Sequence, residues 1–201
     1  LLKNHKPMFS QDERIYMVES IRTIYDVAVP VRRGTGQIRR VNVNAAPLCV
    51  KDLKRLHAAG IGTFQVFQET YHHATYARLH PADTIKGNYR WRLYCMHRAF
   101  DAGVDDFGIG ALFGLSDWRF EVLGLLAHTH ELERTIGIGP HTISFPRLEP
   151  AENTPFLQDS RLRVAEADFR KAVTVLRLAV PYTGMILTAR ESAETRRALL
   201  P

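Results

Sequence analysis

The sequence predicts an α/β fold, a partial (β/α) barrel of the TIM type with about five parallel strands and outer helices. Three observations lead there. Helical and strand-like segments alternate along the chain, with a helix before each of five strands. The connections between successive strands are long enough to hold a helix, which means crossovers and a parallel sheet. Polar residues also recur just where the strands end, and in such barrels that end carries the chemistry. A length of 201 residues suits one domain, so residues 1–201 are expected to form a single barrel segment.

The elements follow in order. Asp12–Val27 carries Ile15, Val18, Ile21, Ile24 and Tyr25 at helical spacing, with Ser10 as its expected N-cap. Pro30–Gly36 reads as a loop and Ile38–Asn44 as the first strand. Val50–Ala59 places Leu53 and Leu56 on one helical face and stops at Gly60. Thr63–Glu69 is the second strand, Pro81–Asn88 a loop, and Tyr89–Ala102 one helix ending at Gly103. Phe107–Leu112 is a Gly-containing strand, and Ser116 caps a long helix over Asp117–Ile136. His141–Phe145 is the fourth strand, Glu149–Ser160 a loop, Glu166–Leu178 a helix, Thr183–Thr188 the last strand and Ser192–Leu199 a further helix. A closed barrel takes eight strands, so five make an arc. The rival, a doubly wound sheet, shows a Gly-rich turn after its first strand. Here that strand runs into Asn42-Val-Asn-Ala-Ala-Pro47, without glycine.

Composition narrows the function. The formal net charge is +6, but Lys and Arg are spread along the chain and their runs, Arg32-Arg33 and Arg39-Arg40, are short. No nucleic-acid partner is expected. No apolar run approaches the roughly 18 residues that span a bilayer, and no membrane is expected. Leu1–Ser10 has no apolar stretch of the signal-peptide kind. The two cysteines, Cys49 and Cys95, show no metal-binding spacing and suit a reducing, cytoplasmic setting. The chain starts on Leu1 rather than Met, and an internal segment of a longer protein is expected.

The densest polar cluster follows the apolar run of the second strand: Gln68, Glu69, Thr70, Tyr71, His72 and His73. Asn42 and Asn44 end the first strand, Ser144 and Arg147 the fourth, and Thr188, Arg190 and Glu191 the fifth. Each has a functional reading and a structural one. Asn42 and Asn44 bind a ligand or bond loop backbone. Glu69 meets a ligand or pairs structurally with Arg92. Tyr71, His72 and His73 serve a site or close a loop; the two adjoining histidines point different ways, against a shared metal. Arg147, in a rigid Pro146-Arg-Leu148 turn, grips a carboxylate of a ligand or of the protein. The glycines of Gly108-Ile-Gly-Ala-Leu-Phe-Gly114 lack phosphate-loop spacing and suit close approach of backbone to a ligand. No residue stands out as a catalytic acid or base.

Several motifs carry a family resemblance. Gln65-Val-Phe-Gln-Glu-Thr-Tyr-His72, Asp105-Asp-Phe-Gly-Ile-Gly-Ala-Leu-Phe-Gly-Leu115 and His141-Thr-Ile-Ser-Phe-Pro-Arg-Leu-Glu-Pro150 resemble the radical S-adenosylmethionine tyrosine lyases. Ile38-Arg-Arg-Val-Asn-Val-Asn-Ala-Ala-Pro-Leu48 and Val180-Pro-Tyr-Thr-Gly-Met-Ile-Leu-Thr-Ala-Arg-Glu191 are similar to the same family, so the resemblance covers nearly the whole chain. Phe120-Glu-Val-Leu-Gly-Leu-Leu126 and Gly139-Pro-His-Thr142 look more like its [FeFe]-hydrogenase maturation branch than its thiamine branch.

The resemblance implies a barrel in which a [4Fe–4S] cluster reductively cleaves S-adenosylmethionine and L-tyrosine loses its Cα–Cβ bond, giving p-cresol and dehydroglycine. In the hydrogenase branch the latter leads to CO and cyanide for the hydrogenase H-cluster; the thiamine branch makes 2-iminoacetate. It implies a reductant such as ferredoxin or flavodoxin and hydrogenase maturation proteins as partners. Matched residue by residue, Glu69 and Arg92, with Asn44 and Tyr71, look like contacts of S-adenosylmethionine. Ser144, Arg147 and Thr188 look like contacts of the tyrosine amine and carboxylate. The departure is the cluster triad CxxxCxxC, absent from this sequence. Cluster ligands are therefore expected outside this chain, and no catalysis from the chain alone. A cluster-free segment that acts as a binding or assembly partner is the reading from another class.

Overall fold

The computed structural model describes residues 11–149 and 162–200, with side chains from residue 16 onward. The expected Ser10 cap and nearly all of the Glu149–Ser160 loop lie outside the described residues. Helices α1 (Gln11–Asp26), α2 (Val50–Ala58), α3 (His73–Leu79), α4 (Tyr89–Leu93), α5 (Cys95–Asp101), α6 (Trp118–Ile136), α7 (Glu166–Ala179) and α8 (Ala193–Leu199) are joined by a 3-10 turn at Ile85–Gly87. The strands are β1 (Ala28–Val31), β2 (Gly34–Gln37), β3 (Val43–Asn44), β4 (Phe64–Gln65), β5 (Phe107–Gly110), β6 (Thr142–Ser144) and β7 (Gly184–Ile186). The predicted sheet is present: five strands in the order β3-β4-β5-β6-β7, parallel wherever the register is given. In register, Val43 faces Phe64, Gly108 faces Thr142, and Thr142 faces Gly184. The strands are shorter than the sequence suggests because pairing loosens toward their C-terminal ends. There the chain continues as single bridges, Glu69 to Ala111 and Phe113 to Arg147. The chain divides into two compact units, residues 1–66 with 83–107 and residues 67–82 with 108–201.

In the first unit Leu53, Leu56, Phe64, Cys95, Met96, Ala99 and Phe107 are buried. Helix α2 ends as predicted at Gly60, whose φ of 77° an L side chain rarely adopts. Asn42 takes the structural reading: its side-chain oxygen accepts the Thr63 N–H at 3.0 Å. The single helix expected over Tyr89–Ala102 is broken at Tyr94, whose ψ of 20° leaves the helical range. Arg98 collects the carbonyls at that break, bonding Trp91 O at 2.6 Å, Tyr94 O at 3.1 Å and Leu48 O at 2.9 Å. Its guanidinium lies over the Trp91 ring, 3.7 Å from the centroid. A further correction concerns Pro30–Gly36, which belongs to an antiparallel hairpin with Val31 opposite Gly34. The β-branched Val29, Val31 and Thr35 outweigh the loop-forming Pro and Gly there.

In the second unit the core is Ile109, Phe113, Leu125, Leu132, Ile143, Phe145, Phe169 and Leu176. Phe145 joins Phe113 and Phe169 at ring-centroid distances of 6.3 and 6.0 Å. Helix α6 is capped by Asp117 rather than Ser116, its carboxylate accepting the Arg119 N–H at 2.7 Å, and it ends at Gly137. Helix α3 was not foreseen. His72 caps it, its ring nitrogen accepting from the Thr75 N–H at 3.3 Å.

Candidate functional site

The second strand ends in a turn built around Glu69. Its φ of 67° is the one positive value at a non-glycine among the described residues, and such strain collects at functional sites. Glu69 is held in place on one side by the chain just past β5: its carbonyl accepts the Leu112 N–H at 2.7 Å. On the other side α6 holds the next two residues. Glu121, fully buried, accepts the Thr70 hydroxyl on one carboxylate oxygen and the Tyr71 N–H at 2.8 Å on the other. Tyr71 then lays its ring over Gly124, where a Cβ would stand 2.5 Å from ring carbons. Its phenol oxygen reaches His128 Nδ1 at 2.9 Å, the two rings edge to face. The side chain expected among the cofactor contacts is thus engaged with α6. Glu121, Gly124 and His128 escaped the sequence reading. The signal for Glu121 and His128 was polar residues falling on the apolar stripe of Val122, Leu125 and Leu132.

Burial pushes the Glu121 carboxyl up, against the lowering pull of the Thr70 and Tyr71 hydrogen bonds and of His72. The folded protein therefore holds this proton more tightly than the unfolded chain. The stability it contributes is complete below the unfolded value of about 4.3 and is lost as pH rises through the folded value. Glutamine does not titrate and keeps both bonds, giving Nε2–H to the Thr70 oxygen and accepting Tyr71 N–H. Glu121→Gln is therefore expected to gain stability relative to the parent as pH rises above the unfolded value of about 4.3. Urea unfolding across that range checks it, and a flat difference would refute it.

Ser144, Arg147 and Thr188 lie on β6, just past it, and just past β7. Ser144 is buried, and its carbonyl accepts the Ala111 N–H at 3.1 Å. Arg147 grips a carboxylate as its turn predicts, and the carboxylate is the protein's own. Its Nε reaches Glu191 Oε1 at 3.1 Å and its Nη2 bonds Glu191 Oε2. Glu166 Oε2 at 3.1 Å, the Val164 carbonyl at 3.3 Å and the Phe169 ring complete the cage. The Glu191 hydrogen bond leads the effects that push the Arg147 guanidinium up, so it stays charged. Thr188 closes the turn before Glu191, accepting the Glu191 N–H on its carbonyl at 3.2 Å. The three residues and Glu191 thus share one corner of the second unit. The expected close approach of backbone to a ligand at Gly110 is made by protein: a Cβ there would stand 2.6 Å from the Ser144 carbonyl oxygen.

Asn44 and Arg92 belong to the first unit, Glu69 and Tyr71 to the second. Asn44 is exposed at the end of β3, beside a groove lined by Tyr16, Met17, Ser20, Ile21 and Val41. Arg92 is buried in α4. An iron–sulfur cluster does not fit the described residues. They contain no group of three or more His, Cys, Asp or Glu side chains placed to hold a metal. The Cys49 thiol is turned to Asp52 at 3.1 Å, and burial pushes the fully enclosed Cys95 thiol up, away from the thiolate a metal needs. No described helix is long and apolar enough to cross a membrane.

Parallel strands with outer helices and polar residues on the strand ends define a (β/α)-barrel segment. Comparison with known proteins makes the class specific. Residues 144–201 match the Biotin and Thiamin Synthesis associated domain. The crystal structure of HydG, a maturase of the [FeFe]-hydrogenase, superposes with a TM-score of 0.86 at 45% identity, over 94% of this chain and 40% of that one. HydG from Carboxydothermus hydrogenoformans gives 0.85 at 43% identity, over 98% of this chain and 43% of that one. The 2-iminoacetate synthase of Escherichia coli K12 is 32% identical over 166 residues, 82% of this chain and 43% of that protein. Methylornithine synthase, at 16% identity and a TM-score of 0.63, shares the fold. By sequence and by fold the chain is a relative of the HydG maturases and the 2-iminoacetate synthases, and it spans under half the length of those proteins.

Proposed function

We propose that this chain forms part of a radical S-adenosylmethionine lyase that breaks the Cα–Cβ bond of L-tyrosine. The products are p-cresol and dehydroglycine, and the latter leads to CO and cyanide for the [FeFe]-hydrogenase H-cluster. The observation that carries the reading is the 43–45% identity with HydG maturases over nearly the whole chain, against 32% with 2-iminoacetate synthases. The latter, together with the match over residues 144–201, supports the second reading, a 2-iminoacetate synthase of the thiamine pathway. The protein acts in the cytoplasm, with a ferredoxin- or flavodoxin-type reductant and the other hydrogenase maturation proteins as partners.

In this proposal residues 1–201 contribute one barrel segment that orients the cofactor and tyrosine. S-Adenosylmethionine supplies the radical chemistry when bound. Asn44, Glu69 and Arg92 contact its polar groups. Tyr71, whose phenol is engaged by His128, supports the turn that carries Glu69. Ser144, Arg147 and Thr188 receive the tyrosine amine and carboxylate; Arg147 does so by sharing the fork that Glu191 and Glu166 occupy. No catalysis is expected from the chain alone, because the CxxxCxxC triad that would hold the cluster is absent from its sequence.

The test compares the 201-residue chain with the longest product of the coding region that contains it. Both are reconstituted with iron and sulfide and given dithionite, S-adenosylmethionine and L-tyrosine. The longer product is expected to form p-cresol, with CO and cyanide released. p-Cresol without CO or cyanide would favour the thiamine branch, and no p-cresol would refute tyrosine lysis. p-Cresol from the 201-residue chain would refute its inactivity.

A further inference from the structure

We propose that Glu121 is a positioning residue for Glu69, holding the strand-end turn in the geometry that presents the Glu69 carboxylate to the sulfonium cofactor. This rests on the proposed role of Glu69 as a cofactor contact.

The argument starts from the backbone. A glutamate at φ 67° returns to the β or α region unless its surroundings over-determine it. Two sets of contacts do so. Upstream and at the residue itself, Gln68 N–H bonds the Gly110 carbonyl at 2.9 Å and the Glu69 carbonyl accepts the Leu112 N–H at 2.7 Å. These anchor the turn to β5 and its continuation. Downstream the chain leaves the sheet, and a buried N–H needs an acceptor. Glu121 supplies it. One carboxylate takes the Thr70 hydroxyl and the Tyr71 N–H together, and the Thr70 oxygen in turn accepts the His72 N–H at 3.1 Å. Thr70 and Tyr71 thus hang directly on one side chain, and His72 hangs on it through Thr70. The same helix face completes the cradle, since Gly124 leaves room for the Tyr71 ring and His128 receives its phenol. Spacings of three and seven residues place all three α6 positions on one stripe. A carboxylate buried in a core is costly unless bonded, and here the donors that bond it are those of the strained turn.

The experiment uses the reconstituted lyase with Glu121→Ala, Glu121→Asp, Glu121→Gln and, as control, Glu69→Gln. Amide hydrogen exchange is read at residues 70–72, together with KM for S-adenosylmethionine, KM for tyrosine, and kcat. Glu121→Ala is expected to speed exchange at 70–72 and raise KM for S-adenosylmethionine about tenfold or more, with KM for tyrosine within about twofold. Tenfold corresponds to about 1.4 kcal/mol, the size of a lost hydrogen bond to a charged group. Glu121→Asp, a methylene short, falls between, and it serves where the alanine variant does not fold. Glu121→Gln keeps parental values, the rescue a merely bulky filler would not give. If the control weakens S-adenosylmethionine binding but Glu121→Ala and Glu121→Asp do not, the positioning role is overturned and the role of Glu69 stands. If the control leaves S-adenosylmethionine binding unchanged, the reading of Glu69 falls and the proposal with it. Parallel changes in both KM values would overturn the proposal in favour of general loosening.

Discussion

Arg147→Ala is expected to destabilise the chain by about 3–5 kcal/mol, the loss seen when one partner of a buried ion pair is removed. Glu191 is the reason. Its side chain is 1% exposed, and both of its carboxylate oxygens are bonded to the Arg147 guanidinium. Alanine leaves that charge enclosed and unpaired. Glu166, 42% exposed, loses only a solvent-screened contact and adds little. Thermal unfolding is expected to fall by about 10 °C or more for a chain of this size. Removing both charges with apolar residues of similar volume, Arg147→Met with Glu191→Leu, is expected to recover most of the loss. A single variant as stable as the parent would show that the pair is loosely held in solution.

Gly110→Ala is expected to cost about 3 kcal/mol. Its Cβ would lie 2.6 Å from the Ser144 carbonyl oxygen and 2.7 Å from the Phe67 ring. The ring can turn, but the carbonyl belongs to the β5–β6 ladder, where Gly110 faces Ser144. The strands must part, weakening the Ala111 N–H bond to that carbonyl. Urea unfolding measures the loss, and faster exchange at Ala111 locates it. By contrast, Gly137 faces open space, so alanine there bears only the cost of φ 80°, roughly 1 kcal/mol. Equal effects at the two glycines would refute the steric argument.

Much of the fold was legible. Leu53 and Leu56 announced α2, Gly60 and Gly137 marked helix ends, and the apolar runs at Phe64, Ile109 and Ile143 became neighbouring parallel strands. Misreadings arose where a local signal lost to a distant partner. Tyr89–Ala102 has no glycine or proline to break it, yet Arg98 stabilises a break at Tyr94 by bonding the carbonyls around it. The hairpin at Ala28–Gln37 hid behind Pro30, the two-residue turn Arg32-Arg33, and Gly34 and Gly36 of its second strand. His72 looked like half of a loop or a site, and it caps a short helix.

The sequence by itself determined the resemblance to the HydG maturases and 2-iminoacetate synthases, the succession of the five parallel strands, and which end of the sheet gathers polar residues. Those follow from periodicity and from motifs that are local in the chain. Tertiary structure alone decided what the polar residues do. Glu121 meets Thr70 and Tyr71 across about fifty positions, and Arg147 meets Glu191 across more than forty. Nothing local encodes such pairings. A buried carboxylate takes whichever donors the packed helices and strands bring within reach, and only the folded chain says which those are.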